Sequence, residues 1–187
     1  MSSPAGFEGL RRTEAVRIWL LGRFRVSVGS RTITPEVWHL RKAAALVKLL
    51  ALAPGHRLHR EQAMDLLWAD SGRRAASHNL RSTLHTARKV LDPDAGSRYV
   101  ASDDESLVLC PSGLLSVDVE AFEEAAATAR RVRDPAAYGT SIELYAGELL
   151  PEDRYEEWAE GRREELRKTY LDLLVEMAGL YEGRGEW

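Results

Sequence analysis

The chain of 187 residues has one cysteine, Cys110, and no apolar run near the roughly 20 residues that a membrane-spanning helix needs. A single thiol forms no intrachain disulfide and builds no metal cage, a composition suited to a reducing, cytoplasmic setting. Cys110 itself reads as a small buried strand residue. The N-terminus lacks the apolar core of a signal peptide, and no membrane partner is expected. There is no G-x-S-x-G elbow, phosphate loop or dinucleotide fingerprint. His59-Arg60-Glu61 matches half of a zinc-deaminase signature, but Cys110-Pro111 lacks the other half. His56 and His59 stand three residues apart near Glu61 without a further ligand set. No spacing singles out a catalytic triad. These absences argue against an enzyme and against any metal or cofactor.

A second absence is local. The net charge of -3 averages two opposed halves: residues 1 to 110 hold 17 Lys and Arg against 11 Asp and Glu, and the remainder holds 9 against 18. All five histidines fall in the first half. A cationic half joined to an anionic half points to a polyanion-binding module with a partner of different role. Within the cationic half, no acidic residue occurs between Asp70 and Asp92, while Arg73, Arg74, Arg81, Arg88 and Lys89 supply five fixed positive charges and His78 and His85 two conditional ones.

The chain is longer than a typical single domain, which predicts two modest ones. Residues 1 to 14 are small, polar and patternless and read as a disordered leader. Residues 16 to 33 alternate apolar and polar side chains around Gly22 and Gly29-Ser30, which predicts two or three short antiparallel strands ended by Pro35. Helical spacing from Leu40 to Leu52 stops at Pro54-Gly55, and a second amphipathic helix runs from His59 to Trp68. After the loop Ala69 to Gly72, with Ser71 as the expected N-cap, a third helix runs from about Arg73 to Leu91, where Asp92-Pro93 breaks it. Two helices joined by a short glycine-containing turn form a helix-turn-helix. Arg98 to Val100 and Ser106 to Cys110 then flank the tip Asp103-Asp104-Glu105 and read as a hairpin.

Pro111 to Gly113 is the expected boundary, dividing a domain at 15–112 from one at 113–187. The second domain reads as all helix: Asp118 as the cap of a helix to about Val132, Asp134-Pro135 opening another to about Ala146, and a long pattern from about Arg154 to Tyr181. The pattern stops at a turn signal, Gly183-Arg184-Gly185, and predicts either a fragment of a longer chain or self-pairing. The Glu and Arg run at 156–168 reads as a helix face laced with i,i+4 pairs.

On the helix from Arg73 to Leu91, Leu80, Leu84, Ala87 and Leu91 form one narrow apolar stripe at 100° per residue. Arg74, His78, Ser82, His85 and Lys89 then lie within about 50° of the opposite face's centre, with Arg81 and Thr86 at its margins. Such a face meets the requirements of the DNA major groove. Arginine and lysine donate to guanine O6 and N7, hydroxyls adapt to several base edges, and residues near the helix start reach the bases. Arg74, His78, Arg81, Ser82 and His85 are therefore the candidates for base edges, with Ser77 beside them, and Arg73, Arg88 and Lys89 the candidates for phosphates. The competing reading, a solvated helical face, loses weight because the helix follows a helix-turn and precedes a hairpin.

LHREQAMDLLW followed by HNLRSTLHTARKVL resembles the winged-helix DNA-binding domain of the OmpR and PhoB type, in the version found in the SARP and AfsR group of actinobacterial transcriptional activators. DVEAFEEAAATAR, IELYAGELLPE and YEEWAEGRREELRKTYLDLL are similar to the bacterial transcriptional activator domain that follows it there. The resemblance covers residues 16 to 187. It implies a mainly α fold with small β-sheets: a winged helix-turn-helix with an N-terminal antiparallel sheet, three helices and a C-terminal hairpin, then an all-α TPR-like domain. It implies a nucleoid-associated activator that binds promoter repeats in double-stranded DNA, with a homodimer as one arrangement, and contacts RNA polymerase partly through residues 69 to 72. It places Trp68 against a phosphate, beside the equal reading of a packed aromatic cap on the helix pair, and Asn79, Leu80, Arg81 and Leu84 in the recognition-helix pattern. The hairpin departs from the family pattern, since three carboxylates replace the usual basic residue and glycine-tyrosine pair. That acidic tip disfavours deep minor-groove insertion and leaves Arg98 and Ser102 for the backbone. It also favours a rival function, a protein-interaction scaffold whose helical half is the working surface.

Overall fold

The computed structural model describes residues 14–94, 98–103, 105–111 and 113–184. Residues 1–13 of the expected leader, Asp104 at the hairpin tip and residues 185–187 of the closing turn lie outside the described residues.

Three short strands, β1 (Val16–Trp19), β2 (Arg25–Val28) and β3 (Arg31–Ile33), pair antiparallel with Val16 opposite Val28 and Val26 opposite Ile33. Their alternation sends Val16, Ile18, Val26, Val28 and Ile33 into the core. A single 3-10 turn at Pro35–Val37 follows. Helix α1 (Arg41–Leu52) is buried along most of its length, and Gly55, at φ 59°, turns the chain in the left-handed region that glycine adopts without strain. Next comes a strand that the sequence pattern does not show, β4 (Arg57–His59). Helices α2 (Arg60–Leu67) and α3 (Arg73–Leu91) form the helix-turn-helix, and the hairpin of β5 (Val100–Ser102) and β6 (Ser106–Leu109) takes β4 as a third strand in the order β4-β6-β5.

Strand β7 (Leu115–Val117) lies beyond the expected boundary yet belongs to the first sheet. It pairs in parallel with β1, with Val16 opposite Leu115 and Ile18 opposite Val117, giving the order β3-β2-β1-β7. Three residues sandwiched between proline, glycine and an acidic helix carry too little periodicity to announce a strand. Helices α4 (Asp118–Val132), α5 (Pro135–Leu144) and α6 (Glu157–Arg184) complete the chain, with a 3-10 turn at Pro151–Asp153. The backbone of α6 continues through Gly183 and Arg184, where the sequence pattern places a turn. Phe122 of α4 packs on Tyr145 with ring centroids 5.3 Å apart, and Tyr145 stacks on Tyr170 of α6 at 4.4 Å. Among the described residues no helix is long and apolar enough to cross a membrane.

The expected helix caps are used differently. Helix α3 begins at Gly72 as N-cap with no side-chain cap, and the Ser71 N–H instead donates to the Trp68 carbonyl at 2.9 Å. Asp134 occupies the N-cap of α5 without a side-chain hydrogen bond, leaving Pro135 at the first helical position as the starting signal. Asp118 is already the first residue of α4, and its carboxylate turns away to accept from the Leu20 N–H at 2.8 Å and the Leu21 N–H at 2.9 Å.

That bond is part of a continuous seam between the halves. The Gly22 N–H donates to the Glu148 carbonyl and the Leu150 N–H to the Leu20 carbonyl, at 2.8 and 2.9 Å. A Cβ on Gly147 would stand 3.3 Å from the Gly22 Cα, so this close crossing of two chain segments requires glycine. Among the described residues, the ion pairs across the seam all run one way: Arg23 to Glu152, Arg41 and Lys42 to Glu156, Lys48 to Asp153, and His56, when protonated, to Glu120. Part of the charge opposition seen in the sequence therefore docks one half on the other, rather than serving an external polyanion.

Candidate nucleic-acid interface

Helix α3 occupies the span expected from the pattern, and its stripe is buried: Leu80, Ala87 and Leu91 are fully covered and Leu84 nearly so, joined by Ala76, Thr83 and Val90. This fixes the exposed side. Arg74, His78, Arg81, Ser82, His85 and Lys89 all face solvent, and Ser77 is half-buried at the margin. Arg74, Arg81 and Lys89 have no carboxylate partner among the described residues, so three guanidinium or ammonium groups stand unneutralised along one helical face. The Thr86 hydroxyl folds back to donate to the Ser82 carbonyl at 3.1 Å, a local bond.

The start of α3 is open. No acid sits in its first turn and no side chain caps it, so its first N–H groups and the positive end of the helix dipole adjoin Arg73 and Arg74. Arg73 is paired with Glu61 of α2. Both side chains are well exposed, and such a pair is worth only about 0–1 kcal/mol. Trp68 is half-buried at the C-terminal cap of α2, against the hydrophobic core, and lines a shallow recess with Glu61, Asp65, Ser71 and Arg73 beside the α3 start.

The far end of α3 is closed. Arg88 is half-buried, and its Nε donates to the Val100 carbonyl at 2.8 Å. Burial, with Arg60 nearby, lowers the affinity of this guanidinium for its proton. Its position therefore serves the packing of α3 on β5, a use that the phosphate assignment from sequence did not foresee. Arg98 donates from Nε and Nη2 to the two oxygens of Asp92 at 2.8 and 2.7 Å. Asp92 is buried, and this pairing draws Arg98 inward toward the end of α3.

One acid of the wing tip is engaged in the turn itself. Asp103 is a structural acceptor: its Oδ1 takes the N–H groups of Glu105 and Ser106 at 3.1 and 2.6 Å, and its Oδ2 takes Arg57 Nη1 at 3.0 Å. The Ser106 N–H, more than any other contact, holds its carboxyl below the usual carboxylate range, with Arg57 contributing. Arg60 donates to the Ser102 hydroxyl at 2.9 Å. Two cations absent from the sequence-based set, Arg57 and Arg60, thus flank the wing. Arg57 enters through β4, whose three residues alternate Arg, Leu and His too briefly to be read as a strand, and Arg60 is the first residue of α2.

His59 is used as a helix cap. Its Nδ1 accepts from the Glu61 N–H at 3.2 Å, and Gln62 Oε1 accepts from the His59 N–H at 3.3 Å, which makes a capping box for α2. His56 lies at the seam, its Nε2 3.3 Å from Glu120. Among the described residues no three His, Cys, Asp or Glu side chains converge as a metal set. Cys110 is buried, and burial pushes its thiol up to about 12.

No family model matches the chain. No curated protein matches it. Among solved structures it is similar to EmbR of Mycobacterium tuberculosis, solved in complex with a low-affinity phosphopeptide, with a TM-score of 0.71 and 16% identity over 92% of this chain and 47% of that chain. The fold is like that of EmbR over most of this chain. The chain spans about half the length of the EmbR chain it matches, and at this identity the likeness concerns the fold alone.

Proposed function

We propose that this chain is a DNA-binding transcriptional regulator of the SARP type that reads the major groove with α3. The observation that carries the proposal is the face of α3. Its apolar side is fully committed to the core, and the exposed side holds Arg74, His78, Arg81, Ser82, His85 and Lys89 with no acid among them. Arg81, Ser82 and the residues toward the helix start are the groups for base edges. Lys89, Arg73 once released from Glu61, and Arg57 and Arg60 beside the wing are the groups for phosphates.

The finer reading is an activator that binds promoter repeats, with two copies on paired sites, and that touches RNA polymerase through residues 69 to 72. Support comes from the resemblance of both halves in order and from the exposure of Asp70 between α2 and α3. EmbR belongs to the same fold and is a larger chain. The scaffold alternative draws on the acidic wing tip, Asp103 to Glu105 in the sequence, and on the surplus of acids in the helical half. A gel shift with promoter and random duplexes across a salt series separates the two. The regulator retains duplex with a steep salt dependence and prefers some sequences. No retention at low salt would remove the function.

A further inference from the structure

Helix α3 is held asymmetrically. At its start there is a glycine N-cap and a cationic first turn, an electrostatically unfavourable combination with the dipole. At its end three arginines converge from three directions. Arg31, on the edge strand β3, donates from Nη1 to the Val90 carbonyl at 3.1 Å and from Nη2 to the Leu91 carbonyl at 2.6 Å. Arg98 grips Asp92, the C-cap residue, with two bonds. Arg88 reaches out of the helix to the Val100 carbonyl of the wing. The last carbonyls of a helix have no partner within it, and a cation there also complements the dipole. Arg31 meets both needs and, unlike the other two, does so from the N-terminal sheet.

We infer that Arg31 is a positioning residue for DNA reading, which sets the axial placement of α3 by tying its last two carbonyls to the N-terminal sheet. The inference rests on the DNA-binding reading above. The Arg31 side chain contacts no DNA in this role. A base-reading constellation must be held to within a fraction of an ångström, and the free start of α3 cannot provide that restraint. A small axial shift or tilt of α3 released from this anchor would displace Arg81 and Ser82 from base edges while leaving its positive charges near the backbone. The phosphate term would then persist as sequence discrimination falls.

The test uses the full chain, a duplex selected by it from a random-sequence pool, and a random duplex of equal length. Displacement of the base-edge contact of Arg81 implies a loss of about tenfold or more in the selected-to-random affinity ratio for Arg31→Ala. The salt slope on random duplex should stay unchanged, because no phosphate contact is lost. Arg31→Lys, which keeps the charge and one donor, should recover part of the ratio and keeps the test open if the alanine variant unfolds. Equal loss on both duplexes with a shallower slope would make Arg31 a phosphate contact and overturn the inference. An unchanged ratio would overturn it as well. A wild-type chain that retains no duplex would refute the DNA-binding reading and the positioning role together. The anchor itself is then judged by hydrogen exchange: faster exchange of the amides in the last turn of α3 in Arg31→Ala upholds it, and unaltered exchange refutes it.

Discussion

Lys48 and Asp153 form a buried ion pair, with Nζ and Oδ2 2.5 Å apart, between α1 in the cationic half and the 3-10 turn before α6 in the anionic half. The ammonium also stands 4.5 Å from the centroid of the Phe24 ring, which adds a cation–π attraction. Helix α1 packs on α3, so this pair links the helical half to α3 through one intervening element. Removing one partner strands a charge in the core and should cost about 3–5 kcal/mol, whereas replacing both with apolar groups of similar volume is often neutral. Lys48→Ala and Asp153→Ala should each lower stability in denaturant titrations by that amount, and Lys48→Met with Asp153→Leu should recover most of it. A double variant as weak as either single would contradict the pairing.

Asp118 ties the start of α4 to the end of β1. Asp118→Ala leaves the Leu20 and Leu21 N–H groups without their acceptor, at about 1–3 kcal/mol for each donor. Asp118→Asn retains one oxygen and should cost less. Burial raises the Asp118 carboxyl above its ordinary range, although the two N–H bonds pull the other way. A raised carboxyl binds its proton more tightly in the folded chain, so its contribution to stability declines as pH rises from about 4 through the folded value. The stability advantage of wild type over Asp118→Asn should therefore shrink across that window, as read by denaturation at a series of pH values.

The Asp103 carboxyl is shifted in the opposite direction, downward, by the Ser106 N–H first and Arg57 after it. Its support of the wing turn is present above the ordinary carboxylate pKa and is lost as pH falls through the lower folded value. The Ser106 amide resonance should follow that low-pH titration in wild type and lose it in Asp103→Ala. A midpoint at or above the ordinary carboxylate value would contradict the bonding described for the tip.

Three cations on α3 should separate into three behaviours. Arg81→Ala should reduce preference for a selected duplex by about 1–3 kcal/mol against wrong bases. Lys89→Ala should weaken all duplexes alike and shallow the salt slope by about one unit. Arg88→Ala should act first on the fold, lowering stability by about 1.5–3 kcal/mol through its lost bond to Val100. Competition gel shifts and thermal melts distinguish these outcomes, and an Arg88 variant with unchanged melting but a shallower slope would return that residue to the phosphate set.

The sequence alone determined the elements whose signals are long and local. The 19 residues of α3 carry a leucine stripe that dictates which face is buried, and that burial decides the exposed set from Arg74 to Lys89. Alternation likewise marks β1 to β3, and Pro135 marks the start of α5. Tertiary structure decided what depends on partners distant in the chain. Strands β4 and β7 have three residues each, too few for a period, and exist because β6 and β1 offer them hydrogen-bonding edges. Asp118 looks like a cap in one dimension and becomes a clasp only because Leu20 and Leu21, nearly one hundred positions away, present two unpaired N–H groups. Arg88 and Arg98 look like any exposed cations until α3 and the wing fold together and supply Val100 and Asp92 as their partners. Charge and period are properties of the chain, but the assignment of a particular cation to DNA, to a helix end or to the opposite half is settled by which acceptor lies within about 3 Å of it after folding.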